Sequence, residues 1–231
     1  MSNHINSKDI FVIIPAYNEN AIIKTVINNL LPFQYTVVVI DDGSSESLLP
    51  ILQNSSVYYI RHKVNLGQGA SLQTGIDFAV SKKAAYIITF DADGQHLASD
   101  IEKLLQPLIN NKADIVSGSR FLEGASHNMS FMRKVLLQLA RYINFLFTGL
   151  LLTDAHNGLR AMTAAAAQKI RLTENGMAHA TEILHQIKKR KLRYKEVPVH
   201  IQYTEYSRKK GQTLSSGFRI FFDLLLNKIF K

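Results

Sequence analysis

Five short apolar runs punctuate the first half of the chain: Ile10 to Ile14, Thr36 to Ile40, Val57 to Ile60, Tyr86 to Phe90 and Asp114 to Ser117. Their apolarity is continuous rather than alternating, which is the pattern of strands covered on both faces. Between them, apolar residues recur at helical spacing around Asn20 to Leu31, Gly69 to Val80 and Ser99 to Ile109. Strand and helix alternate, so the expectation is an α/β fold on a mainly parallel, Rossmann-like sheet with helices on both faces. The second half predicts a long helix from Ser130 to Leu152, a loop from Thr153 to Asn157 and a short apolar segment. A helix start in the run Ala164 to Ala167, a helix near Ala178 to Arg190 and a strand near Tyr194 to Gln202 follow. Over residues 213–231, Phe218, Phe221, Phe222, Leu225 and Ile229 share one side of a helix whose other side carries Arg219, Asp223, Asn227 and Lys231. That is a C-terminal amphipathic helix.

Length and composition narrow this reading. With 231 residues, 46% of them hydrophobic, the chain can bury one sizeable core, so a single domain is expected. There is no cysteine, which excludes a disulfide framework and thiolate metal sites and suits a reducing compartment. The opening MSNHINSKDI lacks a cationic start and an apolar core, so no secretory signal is read there. The apolar stretch from Val135 to Leu152 is interrupted by Gln138, Arg141 and Asn144, which predicts a helix with one wet face rather than a membrane span. The expected location is cytoplasmic. An excess of 27 Lys and Arg over 18 Asp and Glu gives a formal charge of +9 and points to an anionic partner. Much of it lies late, in Lys188 to Lys191, Arg193 and Arg208 to Lys210. Solvated helix and loop charge is the plainer account of those clusters.

The loops after the strands carry the candidate chemistry, because ligands of open α/β sheets bind beyond the carboxyl ends of the strands. They read Pro15-Ala16-Tyr17-Asn18-Glu19, Asp41-Asp42-Gly43-Ser44-Ser45, Asn65-Leu66-Gly67-Gln68-Gly69 and Asp91-Ala92-Asp93-Gly94-Gln95-His96. Two carboxylates at one strand end repel unless a hard divalent cation lies between them. Mg²⁺ takes one or two carboxylates and fills its shell with phosphate oxygens and water, and Mn²⁺ would serve as well. Asp91 and Asp93 are therefore candidate metal ligands, with Gln95 as a neutral third; the alternative is an Asp-rich turn. Asp42 could accept from a ribose hydroxyl or a base N–H, or merely close its turn with Ser44. Gly69 allows a close backbone approach, but GQGASL lacks the third glycine of a dinucleotide fingerprint and follows the wrong strand. Arg120, just after a strand end, and Arg133 are candidate phosphate donors, with surface ion pairing as the alternative. There is no phosphate-loop motif, no G-x-S-x-G and no H-E-x-x-H, and His179 and His185 fall on different helix faces, so the histidines read as non-ligands.

Taken in order, IPAYNEN, VVVIDDGSS, NLGQGASLQTGIDFA, ITFDADGQH, SGSRF, TDAHNGLRAM, EVPV and YSRKKGQT resemble glycosyltransferase family 2 enzymes of the GT-A fold. The nearest group in that resemblance is that of dolichyl-phosphate mannose synthase and the polyprenyl-phosphate sugar transferases. The resemblance implies one catalytic domain over residues 1–212, with a nucleotide-binding half at 8–120 and an acceptor half at 121–212. It implies that Pro15, Ala16, Tyr17 and Glu19 contact the donor nucleotide and that Asp42 binds its base or ribose. Asp91, Asp93 and Gln95 would bind metal and diphosphate, with Gly69, Arg120 and Arg133 around the phosphates. It further implies inversion by direct displacement, in which Asp93 acts with the metal on the leaving group.

The acceptor decides whether a base is needed. A polyprenyl phosphate is already anionic at neutral pH, whereas a glycan hydroxyl needs a base, for which Asp154 and then Glu182 are the candidates. Many lipid-linked relatives carry transmembrane helices after the catalytic domain, and here one amphipathic helix stands instead. With Arg208 to Lys210 before it, it could lie peripherally on the cytoplasmic face of a membrane, meet a small membrane subunit, or pack on its own domain or in a homodimer. Two other functions remain open: a sugar nucleotidyltransferase, which the acidic, glycine-free loop PAYNEN disfavours, and a nucleic-acid-binding module. The acidic ligand edge opposes the latter, so nucleic acid is not expected as a partner.

Overall fold

The computed structural model describes residues 6–127, 141–142, 145–146, 148–155 and 157–203. Arg133, the basic cluster from Arg208 to Lys210 and the amphipathic helix at 213–231 lie outside the described residues. In chain order the elements are β1 (Ile10–Ala16), α1 (Ile23–Leu30), β2 (Thr36–Asp41), α2 (Leu49–Leu52), β3 (Tyr58–Arg61), α3 (Gln68–Ser81) and β4 (Tyr86–Thr89). They continue with α4 (Asp100–Ile109), β5 (Ile115–Ser119), β6 (Ser126–His127), β7 (Arg160–Thr163), α5 (Ala164–Ala167), α6 (His179–Lys189), β8 (Tyr194–Pro198) and β9 (His200–Ile201).

Seven strands form one mixed sheet in the order β3-β2-β1-β4-β7-β5-β8, and β6 and β9 form a second pair. β1 pairs in parallel with β2 and β4, as do β2 with β3 and β5 with β8. The continuous apolarity of β1 has the expected cause. Val12 and Ile14 face α1 and α4 in one core, while Phe11 and Ile13 join Leu72, Ile76, Ile183 and Leu184 of α3 and α6 in the other. α1 buries Ile23, Val26, Ile27 and Leu30, a helical stripe that begins at Ile23 rather than Asn20 because the Glu19 carbonyl takes the N–H groups of Ile22 and Ile23 in a preceding turn.

The sheet departs from the expectation at β7. The short apolar segment Arg160–Thr163 enters antiparallel between β4 and β5, with Thr89 opposite Arg160 and Ser117 opposite the same residue. Being reversed, β7 presents its preceding loop, residues 153–159, at the edge where β1, β2 and β4 end. The predicted strand from Tyr194 to Gln202 is split in two. Val199 N–H still reaches the Ser119 carbonyl at 3.0 Å, but the buried carboxylate of Asp100 takes the backbone N–H of His200 at 2.6 Å, drawing β9 away from the main sheet to pair with β6. The helix expected to reach Leu152 stops after Thr148: Gly149 turns the chain at φ 67°. No helix among the described residues is long and apolar enough to cross a membrane.

Candidate active site

Asp91 leaves the end of β4 into a close-fitting cage. Gln68 Nε2, at the start of α3, donates to its Oδ1 at 3.1 Å, and His96 Nε2 lies 3.1 Å from its Oδ2. On the third side is Gly158, where a Cβ would stand 2.1 Å from Oδ2 and 2.7 Å from Oδ1, so only glycine lets the carboxylate rest there. Thr89 Oγ1 fixes that backbone by donating to the Gly158 carbonyl at 2.6 Å. The side chain keeps 28% of its surface open. Burial would raise the Asp91 carboxyl, but the hydrogen bond and charge of His96, with Arg160 behind, bring it below the ordinary value. His96 Nδ1 is buried without a hydrogen-bond partner among the described residues. A neutral ring therefore carries its proton on Nε2, since the other tautomer would bury an unpaired N–H and turn a lone pair on the carboxylate.

Asp93 is held differently. Among the described residues its carboxylate receives the backbone N–H of Gln95 at 3.0 Å and Gln95 Nε2 at 2.5 Å. Burial, and then the charge of Asp91, push its carboxyl above the usual carboxylate value. Among the described residues no Lys or Arg pairs with it, so the doublet has more negative charge than its surroundings offset. This donor set fits a hard divalent cation. No group of three acidic or histidine side chains converges among the described residues, so phosphate and water would complete the shell. Gln95 is engaged as a strut to Asp93.

The nucleotide-side loops are fastened to each other. Asn18, at φ 55°, receives Ser44 Oγ as acceptor for its N–H at 2.9 Å and returns Oδ1 to the N–H of Ser45 at 2.9 Å. This leaves Tyr17 exposed at the rim while Ala16 and Glu19 are buried and Pro15 stays in register with Ile40. Asp42 is buried and accepts from Leu66 N at 2.9 Å and Gly67 N at 2.7 Å, with His62 Nδ1 at 2.8 Å. It anchors the third loop. Gly69 approaches protein backbone rather than open space, for its N–H donates to Asn175 O at 2.7 Å and a Cβ would meet Glu174 O at 2.0 Å.

On the acceptor side, Arg120 Nε and Asp154 Oδ2 form a buried ion pair at 2.6 Å, and Arg120 Nη1 donates to Tyr203 Oη at 2.7 Å. Asp154 Oδ2 also accepts from Arg120 N and Asn157 Nδ2. Glu196 of β8 holds the loop beneath by accepting from Thr153 N and Asp154 N. Glu182 is neither free nor a plain solvent-facing charge: it accepts from Thr173 N, Thr173 Oγ1 and Glu174 N, clasping the loop before α6.

Several members of this site escaped the sequence reading. Gln68, Gly158, Arg160 and Glu196 lie inside the quoted stretches but were not singled out, Tyr203 lies in none of them, and the histidines were judged only as metal ligands. His96 was legible as a neighbour of Asp91 in the same turn. Arg160 is 2% exposed, its Nε has no partner among the described residues, and burial lowers its guanidinium. His179 gives Nδ1 to the Gly176 carbonyl at 2.8 Å, and burial keeps its ring neutral at pH 7.

Comparison with known proteins matches residues 11–171 to the family described as glycosyl transferase family 2. The chain is similar to the UDP-N-acetylglucosamine–dolichyl-phosphate N-acetylglucosaminyltransferase of Methanococcus voltae, at 37% identity over 245 residues, covering 97% of this chain and 98% of that protein. The dolichol-phosphate mannosyltransferase of Pyrococcus furiosus is 28% identical over 221 residues, covering 91% of this chain and 60% of its own length. Among solved structures, glucosyl-3-phosphoglycerate synthase from Mycobacterium tuberculosis, in complex with Mn²⁺ and UDP-glucose, superposes with a TM-score of 0.68 at 16% identity, covering 94% of this chain and 76% of that one. The fold is thus GT-A-like.

Proposed function

The chain belongs to glycosyl transferase family 2, and we propose that it moves a sugar from a UDP-class nucleotide sugar to a dolichyl or other polyprenyl phosphate, with inversion. Family membership sets aside the nucleotidyltransferase and nucleic-acid-binding alternatives. The observation that carries the reading is the Asp91–Asp93 doublet at the mouth of β4, one carboxyl held low and the other pushed high without a cationic side chain to offset it. Mg²⁺ or Mn²⁺ bound there would stabilise charge on the departing nucleoside diphosphate. Asp91 is aimed by Gln68 and His96, Asp93 by Gln95. The stapled loops at Pro15 to Glu19 and Asp42 to Ser45 present the nucleotide, with Tyr17 at the rim and one lone pair of Asp42 Oδ2 left for the base or ribose. Arg120, whose charge Asp154 and Tyr203 sustain against burial, would meet the phosphates.

A phosphate acceptor is favoured over a glycan hydroxyl because the two acidic candidates for a base are engaged. Asp154 is in an ion pair with Arg120 and Glu182 in a loop clasp. A phosphate monoester with a second pKa of about 6 attacks as an anion and needs neither. The test is calorimetric titration with UDP-, GDP-, dTDP- and CMP-sugars, with and without Mn²⁺, then turnover with a polyprenyl phosphate. Mn²⁺-dependent binding of UDP-sugars and transfer to the lipid are expected. Binding indifferent to Mn²⁺, or transfer to a glycan hydroxyl alone, would overturn the reading.

A further inference from the structure

Two guanidinium groups are buried among the described residues, and the fold treats them in opposite ways. Arg120 is in an ion pair with Asp154 at 2.6 Å. Arg160 has no such partner. It is buried, its Nη2 reaches the Ala155 carbonyl at 3.3 Å, and its Nε has no hydrogen-bond partner among the described residues. A bare buried charge is costly. In a purely structural position an apolar side chain of similar size would serve as well or better.

The register of the sheet shows what this charge faces. Arg160 stands opposite Thr89 of β4 and Ser117 of β5, and residues directly opposite across antiparallel strands point to the same side. The row continues past the end of β4, where Gly158, two before Arg160, abuts the carboxylate of Asp91, two after Thr89. Asp91 is partly open to solvent and Arg160 is enclosed, so the guanidinium backs the carboxylate from inside the core. Against the upward push of burial, its field adds to the hydrogen bond and charge of His96 in holding the Asp91 carboxyl low. A cation in that position has two effects of opposite sign. It keeps Asp91 ionised, and it repels a second cation approaching the doublet. No third acidic or histidine side chain converges there among the described residues, so a free divalent ion would find few ligands with a positive charge behind them. A cation already carried on a diphosphate brings oxygen ligands and negative charge of its own.

We propose that Arg160 is a built-in counter-charge of the Asp91–Asp93 site, which holds a free divalent cation weakly and admits it as its complex with a nucleoside diphosphate. The proposal rests on the metal-site reading of the doublet. Arg160 acts through Asp91 and is a positioning residue in the electrostatic sense. Its effect on turnover is that the departing nucleoside diphosphate can leave with its cation, since the doublet alone does not retain the ion.

The experiment is calorimetric titration of the full chain with Mn²⁺ alone and with preformed Mn²⁺–UDP, for the unmodified protein and for Arg160→Met, Arg160→Gln and Arg160→Lys. Arg160→Gln removes the charge and keeps a donor for the Ala155 carbonyl, so it decides the matter even where Arg160→Met does not fold. With the charge gone, Mn²⁺ alone should bind on the order of ten-fold more tightly, as expected for deleting one unit charge behind a partly open site. The net-negative Mn²⁺–UDP complex should bind no more tightly than before. Arg160→Lys, which keeps the charge, should stay within about two-fold of the unmodified protein for both titrants. Mn²⁺ affinity unchanged or lowered in Arg160→Gln overturns the proposal, and a parallel loss for both titrants makes Arg160 a support of the 153–159 loop. Equal tightening toward both titrants overturns it as well, because the charge would then not discriminate between them. If the unmodified protein binds neither titrant, the metal-site reading falls and the proposal with it; Mn²⁺–UDP bound, with Mn²⁺ affinity indifferent to the charge at 160, sinks the proposal alone.

Discussion

The two carboxylates of the doublet stand two residues apart and live in different regions of the fold. Asp91 is gripped by three parts of the chain: Gln68 from α3, His96 from its own turn and Gly158 from the loop before β7. Among the described residues Asp93 is held by Gln95, two residues on. The first is a carboxylate whose orientation the tertiary structure fixes; the second is a locally held charge, and the proposed metal would be its counter-ion. Distant supports buy orientation, and local ones leave a group responsive to what binds.

Five variants at four positions break or sharpen this reading of the site. Asp93→Asn should lower Mn²⁺-dependent turnover on the order of 10³-fold, as expected for removing charge from a metal site. In the metal-free protein the same change should raise the melting temperature at pH 7. The folded carboxyl lies above its unfolded value, so the native state binds the proton more tightly, its stabilisation is complete below pH 3.8 and is lost as pH rises through the folded value. The gain from Asp93→Asn should accordingly vanish in melts taken below pH 3.8. Mn²⁺ affinity measured by calorimetry should fall as pH drops toward that raised value. Gly158→Ala drives a methyl into the Asp91 carboxylate and should cost about a hundred-fold in turnover, the usual penalty for misplacing a reacting group by about 1 Å. His96→Leu should weaken Mn²⁺ binding about ten-fold, while His96→Gln, which keeps a donor at similar reach, should recover most of it. Glu182→Gln should leave turnover per folded molecule within about two-fold and lower the melting temperature by roughly 2–4 °C, the loss of about one hydrogen bond in a domain of this size. A large fall in turnover at unchanged stability would instead make Glu182 a base.

How far the sequence reached follows the same division. Strands β1, β2, β4 and β5 were legible because burial on both faces leaves an apolar run, as in Val37 to Ile40, and the edge strand β3 was legible from its Tyr-Tyr-Ile run although its ends, Tyr58 and Arg61, are exposed. β7 was not, because RAMT is four residues long, begins with a buried arginine and takes its direction from its neighbours. The Asp91–Asp93 pair was visible as a local motif at a strand end. Its supports were not, since Gln68 and Gly158 meet Asp91 only through tertiary structure. Arg120 was placed correctly beside a strand end, but its partner Tyr203 lies 83 residues further on and no spacing announces it. Asp154 and Glu182 were singled out as candidate bases, and what spacing withheld was that each already has donors in contact.

The reversal of β7 also orders events during synthesis. When the ribosome has released the chain as far as β5, every residue of the ITFDADGQH turn exists, yet β4 has an open edge. It gains its neighbour only when residues 160–163 emerge and fold back, closing a hydrogen bond between residues 69 apart. Such late, long-range closure is the slow step in forming a mixed sheet. The nascent first half therefore carries both acids without the Gly158 wall that shapes them, and the Asp91 cage arrives together with the completed sheet. If Asp91 ligates the proposed metal, its affinity is in effect a readout that translation has passed β7.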